Sequence, residues 1–375
     1  MFVELHLLQS FGPSNLNRDD TNSPKDCEFG GHRRARISSQ ALKRAIRKEP
    51  KFAELTQAEP GQRSKWLTRP LVKQLVEAGK AENQAREIAV AFTTAYAGKM
   101  DAKNPEKTSV LLFYSPSEVE LIVSNLLAQW DSLVEAKEKA RAKLLDGLVK
   151  EIIKATKERT SAPDIALFGR MLADKPELNI DAACQVAHAI STHRVQMEMD
   201  YYTAVDELLQ DEEAGAGMVG FTGFNSACFY RYARIDFDQL RKNLDNDVAL
   251  AQRTVLAFVR AALNAIPTGK QNAFAAQSPT DLALAVARSD GMSWSLVNAF
   301  ETPVRPGHDS GYLQPSIAAL DAYWAALTSF YDDAQINAVA VHVKQHADTL
   351  NALKPYRQDR LSNWLATISS ALPKE

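Results

Sequence analysis

Apolar and polar residues alternate at the start of the chain, and this alternation predicts a strand over 2–8. The polar residues of segment 10–31 predict a long loop. Two serines, Ser38 and Ser39, are typical of a helix N-terminus, and they predict a helix over 39–48. The first fifty residues therefore indicate a strand, a loop and a helix.

Beyond these residues the pattern becomes mostly helical, and it predicts an inserted helical domain over 59–181. Strand and helix patterns then alternate towards the C-terminus. They predict, in chain order, strands over 185–195 and 227–237, a helix over 246–266, a strand over 281–288, and helix from about 315 onward.

The resulting order is β-α-β-β-α-β, which predicts an α+β fold with a ferredoxin-like, or RRM-like, sheet. This part is expected to comprise residues 1–58, 182–197 and 227–375. It carries two insertions, the helical domain over 59–181 and a long loop over 198–226. Long loops in compact domains are often functional.

Composition limits the classes of function. The chain has 375 residues, 44 Lys plus Arg and 46 Asp plus Glu, so its net charge is -2. A nucleic-acid surface would therefore require local segregation of charge. The three cysteines lie far apart, and no signal peptide or membrane span is evident, so we expect a cytoplasmic protein.

Metal and cofactor chemistry is not indicated by the sequence. His342 and His346 are four residues apart but lack the glutamate of a zinc-binding helix, so we expect a surface helix there. We predict no cofactor, no metal site and no catalytic residue.

The clearest chemical signal is a basic segment over residues 31–48, which contains seven Lys or Arg and no acidic residue. At helical spacing Gln40, Lys43 and Arg47 share a face, and Arg44 lies beside them. Such a face can bind a phosphate backbone without reading sequence, and the alternative is a solvated amphipathic helix. The helix N-terminus at Ser38 and the cations Arg18 and Lys25 of the preceding loop could join this surface.

An aromatic pair, Tyr201 and Tyr202, is followed by Thr203 in the long loop 198–226. Aromatic side chains near a basic surface can stack on bases or wedge between them. The alternative is that both tyrosines only pack against the rest of the protein.

Short motifs in the same order over nearly the whole chain resemble the CasC family, the backbone subunits of type I-E CRISPR Cascade complexes. These motifs are Asn15–Asp20, Phe29–Gly31, Arg33–Arg34, Arg36–Gln40, Leu42–Arg44, Asp164–Leu167, Gly169–Met171, Ala187–Ile190, Thr192–His193, Thr203–Asp206, Phe229–Ala233, Asn298–Glu301 and Leu313–Ser316. No single motif is decisive, but the ordered set is specific.

The resemblance implies a shape like a right hand, with an RRM-like palm, helical fingers over 59–181 and a thumb over 198–226. Several copies would form a helical filament along the spacer of a CRISPR RNA, and each thumb would kink the RNA. The exposed bases would pair with a target DNA strand. The implied partners are CRISPR RNA, target DNA, other copies of the chain and other Cascade subunits, with no membrane and no catalytic role.

The resemblance also implies which residues contact RNA, and the basic helix adds Arg44 to them. These residues are Arg18, Lys25, Ser38, Gln40, Lys43, Arg44 and Arg47 of the palm, Arg170 and Met171 of the fingers, and Tyr201, Tyr202, Thr203, Met218 and Val219 of the thumb. The chain departs from the family pattern at His32, where a lysine is expected, and at Tyr201–Tyr202, where a Trp-Phe pair is expected.

Two other functions are open at this stage. One is a related type III backbone subunit that cleaves RNA with an aspartate, for which Asp19, Asp20 and Asp26 are the candidates. The other is a free-standing single-stranded RNA-binding protein.

Overall fold

The computed structural model describes residues 1–204, 218–307, 310–332 and 335–374. The chain divides into two compact units. The first unit consists of Met1–Phe52, Gln185–Ile235 and Leu256–Pro373, and the second consists of Ala53–Cys184, Asp236–Val255 and Lys374–Glu375.

Strands and helices alternate along both units. The strands are β1 Phe2–Ser14, β2 Asp26–Phe29, β3 His32–Ile37, β4 Gln62–Ser64, β5 Met100–Asp101, β6 Asn104–Thr108, β7 Leu112–Tyr114, β8 Cys184–Val186, β9 Ala189–Ser191, β10 Glu198–Ala204, β11 Met218–Asp236, β12 Leu282–Arg288 and β13 Ile336–Val343. The α-helices are α1 Ser39–Lys48, α2 Pro50–Thr56, α3 Thr68–Glu77, α4 Glu82–Ala97, α5 Pro116–Ala128, α6 Trp130–Glu135, α7 Glu138–Thr156, α8 Pro163–Phe168, α9 Phe237–Asn243, α10 Val248–Asn264, α11 Gln271–Phe274, α12 Leu313–Tyr331 and α13 Leu361–Ala371.

The main sheet has the strand order β13-β12-β1-β11-β9-β3-β2. Four adjacent strands, β12, β1, β11 and β9, correspond to the fourth, first, third and second strands of the β-α-β-β-α-β pattern. β1 pairs antiparallel with β12, from Phe2↔Arg288 to Leu8↔Leu282, and nearly every residue of these paired segments is buried. The predicted α+β fold class is confirmed.

The helix predicted over 39–48 is confirmed as α1, and its first turn follows from the sequence. Ser38 has an extended backbone, and its hydroxyl accepts a hydrogen bond from the backbone N–H of Ala41 at 3.3 Å. That contact satisfies one of the N–H groups that a helix start leaves without an intrahelical partner. Leu42 and Ile46, each 2% exposed, face the interior of the first unit.

The loop predicted over 10–31 is only partly a loop, because β1 continues to Ser14 and β2 forms a hairpin with β3. Gly30 and Gly31 form the turn of this hairpin with φ of 58° and 70°. β2 lies at the edge of the sheet and has no buried residue, so it lacks the alternation that marks a half-buried strand.

The long loop predicted over 198–226 is also corrected. β10 and the start of β11 form an antiparallel ribbon, with pairs running from Glu198↔Phe224 to Ala204↔Met218. We call residues 198–204 and 218–224 the ribbon. The acidic residues 211–213 fall within segment 205–217, which lies outside the described residues.

Four further expectations differ from the structure. The strand predicted over 185–195 is divided into β8 and β9, and Phe237 begins helix α9 instead of ending a strand. After α12 comes strand β13 before α13, so the expectation of continuous helix is wrong there. The surface helix expected at His342 and His346 is also wrong. His342 lies in β13, where its Nδ1 donates a hydrogen bond to the carbonyl oxygen of Gln358 at 2.8 Å.

The second unit is mostly helical and has its own core. Leu71, Ile88, Phe92 and Leu126 belong to one buried apolar cluster that several helices share. Two small two-stranded sheets, β4-β7 and β5-β6, accompany the helices. Among the described residues, no helix is both long and apolar enough to cross a membrane.

Candidate nucleic-acid interface

The outward side of α1 carries the cations that the sequence analysis singled out. Gln40, Arg44 and Lys48 are exposed, and Lys43 and Arg47 are partly buried. Because the helix repeats every 3.6 residues, burial of Leu42 and Ile46 turns these polar side chains away from the core. The last turn of α1 contains Arg47 and Lys48. Their positive charges interact favourably with the negative end of the helix dipole and so stabilise the helix.

The cations of strand β3 have structural roles instead. Arg34 is fully buried, and its guanidinium donates hydrogen bonds to the carbonyl oxygens of Ser191 at 3.0 Å and Phe300 at 2.7 Å. Arg33 forms an ion pair with Asp26, and the Arg36 guanidinium donates to the carbonyl oxygen of Asp26 at 3.0 Å. Of the seven cations of segment 31–48, only the four on α1 are therefore candidates for a phosphate-binding surface.

The loop before β2 is fixed to the start of α1 through Asn17. The Asn17 side-chain oxygen accepts the backbone N–H of Ser38 at 2.7 Å, and its carbonyl oxygen accepts the N–H of Lys25 at 2.8 Å. Arg18 is exposed and donates a hydrogen bond to Asn22 Oδ1 at 2.6 Å. These contacts position the predicted loop cations, Arg18 and Lys25, relative to the helix N-terminus.

His188 supports the start of α1 and was absent from the predicted site residues. Its Nδ1 accepts the backbone N–H of Ser39 at 3.3 Å and lies 3.1 Å from a guanidinium nitrogen of Arg36. Partial burial and the charge of Arg36 lower the pKa of His188, which favours the neutral ring that these contacts require. The only sequence signal was its place in the motif 187–190.

The ribbon presents aromatic side chains at its surface. Tyr201 and Phe221 form a cross-strand pair with ring centroids 5.2 Å apart, and they are 56% and 64% exposed. The Tyr202 ring packs over Gly220, where a Cβ would collide with it, yet Tyr202 is still 42% exposed. Both tyrosines therefore pack within the ribbon and still keep a large exposed fraction of their side chains.

The other predicted ribbon residues are placed by their backbone. Thr203 is exposed and pairs with Val219, and Ala204 pairs with Met218. Phe221 was not among the predicted site residues, since an isolated phenylalanine among glycines gives no distinctive pattern.

In the second unit, Met171 is 86% exposed, whereas its neighbour Arg170 is only 5% exposed. The Arg170 guanidinium pairs with Glu118 at 2.7 Å and donates hydrogen bonds to the carbonyl oxygens of Leu178 at 2.6 Å and Phe113 at 3.0 Å. Arg170 is therefore buried within the second unit, and the structure does not give it the exposed position that its predicted RNA contact requires.

The aspartates of the RNA-cleaving alternative occupy turns and ion pairs. Asp19 Oδ1 accepts hydrogen bonds from the Thr21 N–H, the Thr21 hydroxyl and the Ser23 N–H, at 2.9, 2.8 and 2.9 Å. The Thr21 hydroxyl contact is the largest cause of a lowered pKa for Asp19. Asp26 is paired with Arg33, and Asp20 is exposed.

Comparison with known proteins places the whole chain among CRISPR-associated proteins. The model of the CT1975-like proteins, a Cas family, matches residues 3–366. A solved chain of a pre-nicking CRISPR RNA-guided surveillance complex is 29% identical, with a TM-score of 0.85 and 100% of both chains covered. A chain of another CRISPR RNA-guided surveillance complex is 25% identical, with a TM-score of 0.76, covering 99% of this chain and 100% of that one. No curated protein matches.

Proposed function

Because the chain belongs to the CT1975-like family, we propose that it is a CRISPR RNA-binding backbone subunit of a surveillance complex of type I-E. In this proposal several copies assemble along the spacer of the guide RNA. Each copy holds the RNA backbone, kinks the strand and leaves bases free to pair with target DNA. Other subunits of the complex are further partners, and the chain itself is not an enzyme.

The observation that carries the proposal is the outward face of α1. This face presents Gln40, Lys43, Arg44, Arg47 and Lys48 on one short helix that contains no acidic residue. Cations on a helix can neutralise successive phosphates without contacting base edges. A subunit that must accept any guide sequence needs this kind of contact.

The ribbon supports the kinking part of the proposal. Its exposed pair, Tyr201 and Phe221, forms an apolar surface. Further along the same strand, most residues of β11 are buried. An aromatic side chain gains free energy when it stacks on a base, whichever base is present. A ribbon of this kind can therefore separate neighbouring bases without reading their sequence.

The contacts of the aspartates support a role without catalysis. Asp19 and Asp26 are both held by hydrogen bonds or ion pairs within the turn and hairpin before α1. These partners occupy Asp19 Oδ1 and Asp26 Oδ2, so both carboxylates take part in the local structure of the turn and hairpin.

We test the proposal with the double variant Lys43→Ala/Arg47→Ala. RNA affinity should fall alike for all sequences, and the slope of log affinity against log salt should decrease by about 0.7 for each lost single-strand contact. The matched control is Lys150→Ala/Lys154→Ala, which removes two exposed cations of the same spacing from α7. A folded Lys43→Ala/Arg47→Ala protein with an unchanged slope would refute the assignment of the interface.

A further inference from the structure

The second unit carries a basic and apolar surface patch that the proposed function leaves without a role. It lies where the end of β4, the start of α3 and segment 107–111 meet, and we call it the Trp66 patch. Its members are Lys65, Trp66, Arg69, Lys107, Val110 and Leu111. We propose that the Trp66 patch binds the acidic segment 205–213 of a second copy of this chain. The proposal rests on the proposed function, in which identical copies lie side by side on one RNA.

Three cations of the Trp66 patch lie close together. The guanidinium carbon of Arg69 lies 3.7 Å from the centroid of the Trp66 ring, and Lys107 Nζ lies 5.9 Å from it. The carbonyl oxygen of Lys65 accepts the backbone N–H of Thr108 at 2.9 Å, which places Lys65 beside the end of β6. Like charges held this close repel one another, so the patch favours an anionic partner.

The acidic residue nearest in sequence does not neutralise these cations. Glu106 precedes Lys107, but its carboxylate forms an ion pair with Arg86 at 2.5 Å. Within the part of the chain that the structure describes, no ion pair involves Lys65, Arg69 or Lys107. Arg69 is exposed, and the two lysines are partly exposed, so their charge is accessible to a partner.

Exposed aliphatic side chains border the cations and narrow the choice of partner. Leu111 is 54% exposed and Val110 is 37% exposed. Lys65 and Leu111 directly follow and precede the last paired residues of β4 and β7, so they lie near each other. Aliphatic side chains give bases no ring to stack on, and Arg69 already covers the Trp66 ring. A nucleic acid would therefore match only the cations, whereas an acidic peptide with apolar residues matches the whole patch.

Segment 205–213 has the complementary composition. It reads Val-Asp-Glu-Leu-Leu-Gln-Asp-Glu-Glu, with five carboxylates, three aliphatic residues and no cation. It directly follows Ala204, the last residue of β10 in the ribbon. In the proposed function the ribbon contacts RNA, and phosphates repel carboxylates next to it unless cations neutralise them. The Trp66 patch supplies such cations together with an apolar surface.

A second copy is the partner that fits the proposed assembly. The end of the ribbon and the Trp66 patch are different surfaces of one chain. Contacts between different surfaces of identical chains repeat from copy to copy and produce open assemblies. Binding of the segment by its own chain is the alternative outcome of the experiments.

The first experiment measures binding of a fluorescent peptide with the sequence of residues 204–218 by anisotropy. The receptor is the full-length chain carrying Asp211→Asn/Glu212→Gln/Glu213→Gln, so that its own segment competes less. We expect Lys65→Ala/Arg69→Ala in this receptor to weaken binding about tenfold. Raising the salt concentration to about 500 mM should weaken it as well. Lys150→Ala/Lys154→Ala is the charge control and should leave binding unchanged.

Two peptide variants test the two parts of the contact. A peptide with Asn and Gln in place of its five acidic residues should not bind, and Leu208→Ser/Leu209→Ser should weaken binding. The proposal is wrong if the unmodified peptide does not bind, or if the folded Lys65→Ala/Arg69→Ala receptor binds it equally well. If that variant instead loses affinity for single-stranded RNA while no peptide binds, the Trp66 patch is a nucleic-acid surface.

The second experiment tests whether the contact joins two copies. Glu212→Lys/Glu213→Lys and Lys65→Glu/Arg69→Glu should each lower the number of copies on a guide RNA in native mass spectrometry. An equimolar mixture of the two variants should restore that number, because each reversed segment then meets a reversed patch on its neighbour. If the mixture fails while one chain with all four substitutions assembles, the segment binds its own chain. Unchanged assembly of both separate variants would also overturn the proposal.

Failure of this proposal is distinguishable from failure of the proposed function. The peptide experiment contains no RNA, so the peptide can bind even if no assembly forms on a guide RNA. Assembly on a guide RNA without any binding of the peptide would refute only the role of the Trp66 patch.

Discussion

At the scale of single residues, Arg170 belongs to a motif that predicts RNA binding, yet its charge forms a buried ion pair. Its side chain and that of Glu118 are each 3% exposed, and they form an ion pair at 2.7 Å. Glu118 also accepts the backbone N–H of Ser115 at 2.7 Å and so completes the capping box of α5. One guanidinium therefore stabilises both a helix start and two backbone carbonyl groups.

We predict that Arg170→Ala lowers the free energy of unfolding by about 3–5 kcal/mol, because it leaves the Glu118 carboxylate buried without its counter-ion. Urea denaturation measures the change. The control is Arg159→Ala, whose ion pair with Asp245 is exposed and should contribute at most about 1 kcal/mol. If both variants lose the same free energy of unfolding, burial of the Arg170 ion pair does not contribute to stability.

At the scale of elements, the β2–β3 hairpin depends on two glycines with different surroundings. Both have positive φ, but a Cβ on Gly30 would collide with the carbonyl group of Glu301, whereas a Cβ on Gly31 would meet nothing within 4 Å. A side chain at Gly31 would therefore meet backbone strain alone, whereas a side chain at Gly30 would meet both backbone strain and a steric collision.

We predict that Gly31→Ala costs about 1–2 kcal/mol, the cost of the left-handed backbone alone. Gly30→Ala should cost more than about 4 kcal/mol, because the hairpin must also move away from Glu301. Both values come from the free energy of unfolding in denaturant. If the two variants are equally stable, the close approach of the turn to Glu301 contributes nothing.

We predict that the first unit still folds when the ribbon is shortened. Replacing residues 200–222 with Asn-Gly joins Met199 to Gly223, which are paired, through a two-residue turn. The variant should remain folded, since Tyr201, Tyr202 and Phe221 are exposed. It should protect spacer RNA less from nuclease and lose the periodic exclusion of guide bases from pairing.

Phe330→Ala is the matched control for the shortened ribbon, because Phe330 is 79% exposed and lies in α12. This variant should protect RNA as the unmodified protein does. Normal assembly of the shortened variant, with unchanged tolerance of target mismatches at the periodic positions, would show that the ribbon does not kink RNA.

The sequence predicts the elements that have one buried face or a clear cap. Helix α1 follows from Ser38 and from the spacing of Leu42 and Ile46, and β1 and β12 follow from their apolar residues. Strands β2 and β10 were missed because they gain order from pairing with a neighbour and bury few of their own side chains.

Only part of the candidate interface could be predicted from the sequence. The basic face of α1 is a periodic pattern, so its members could be listed from the sequence. Burial of Arg34 and Arg170 depends on distant carbonyl groups and on Glu118, and no local pattern reveals these partners. His188 acts through Ser39, which is 149 residues away along the chain.

At the scale of the whole molecule, a net charge of -2 coexists with a helix whose outward face is basic. Charge is thus segregated rather than uniform, as expected of a subunit with an RNA-binding face and other faces for protein neighbours. Contacts between different faces of identical copies give open assemblies when the rotation does not close. If copies of this chain assemble in that way on RNA, we expect the RNA to set the length of the assembly.

Native mass spectrometry of the protein bound to guide RNAs with two spacer lengths tests the central claim most directly. If the chain is a backbone subunit, the number of copies per RNA increases with the longer spacer, and the Lys43→Ala/Arg47→Ala protein forms fewer or no such assemblies. The same closed oligomer on both RNAs, or the same oligomer without RNA, would contradict the account.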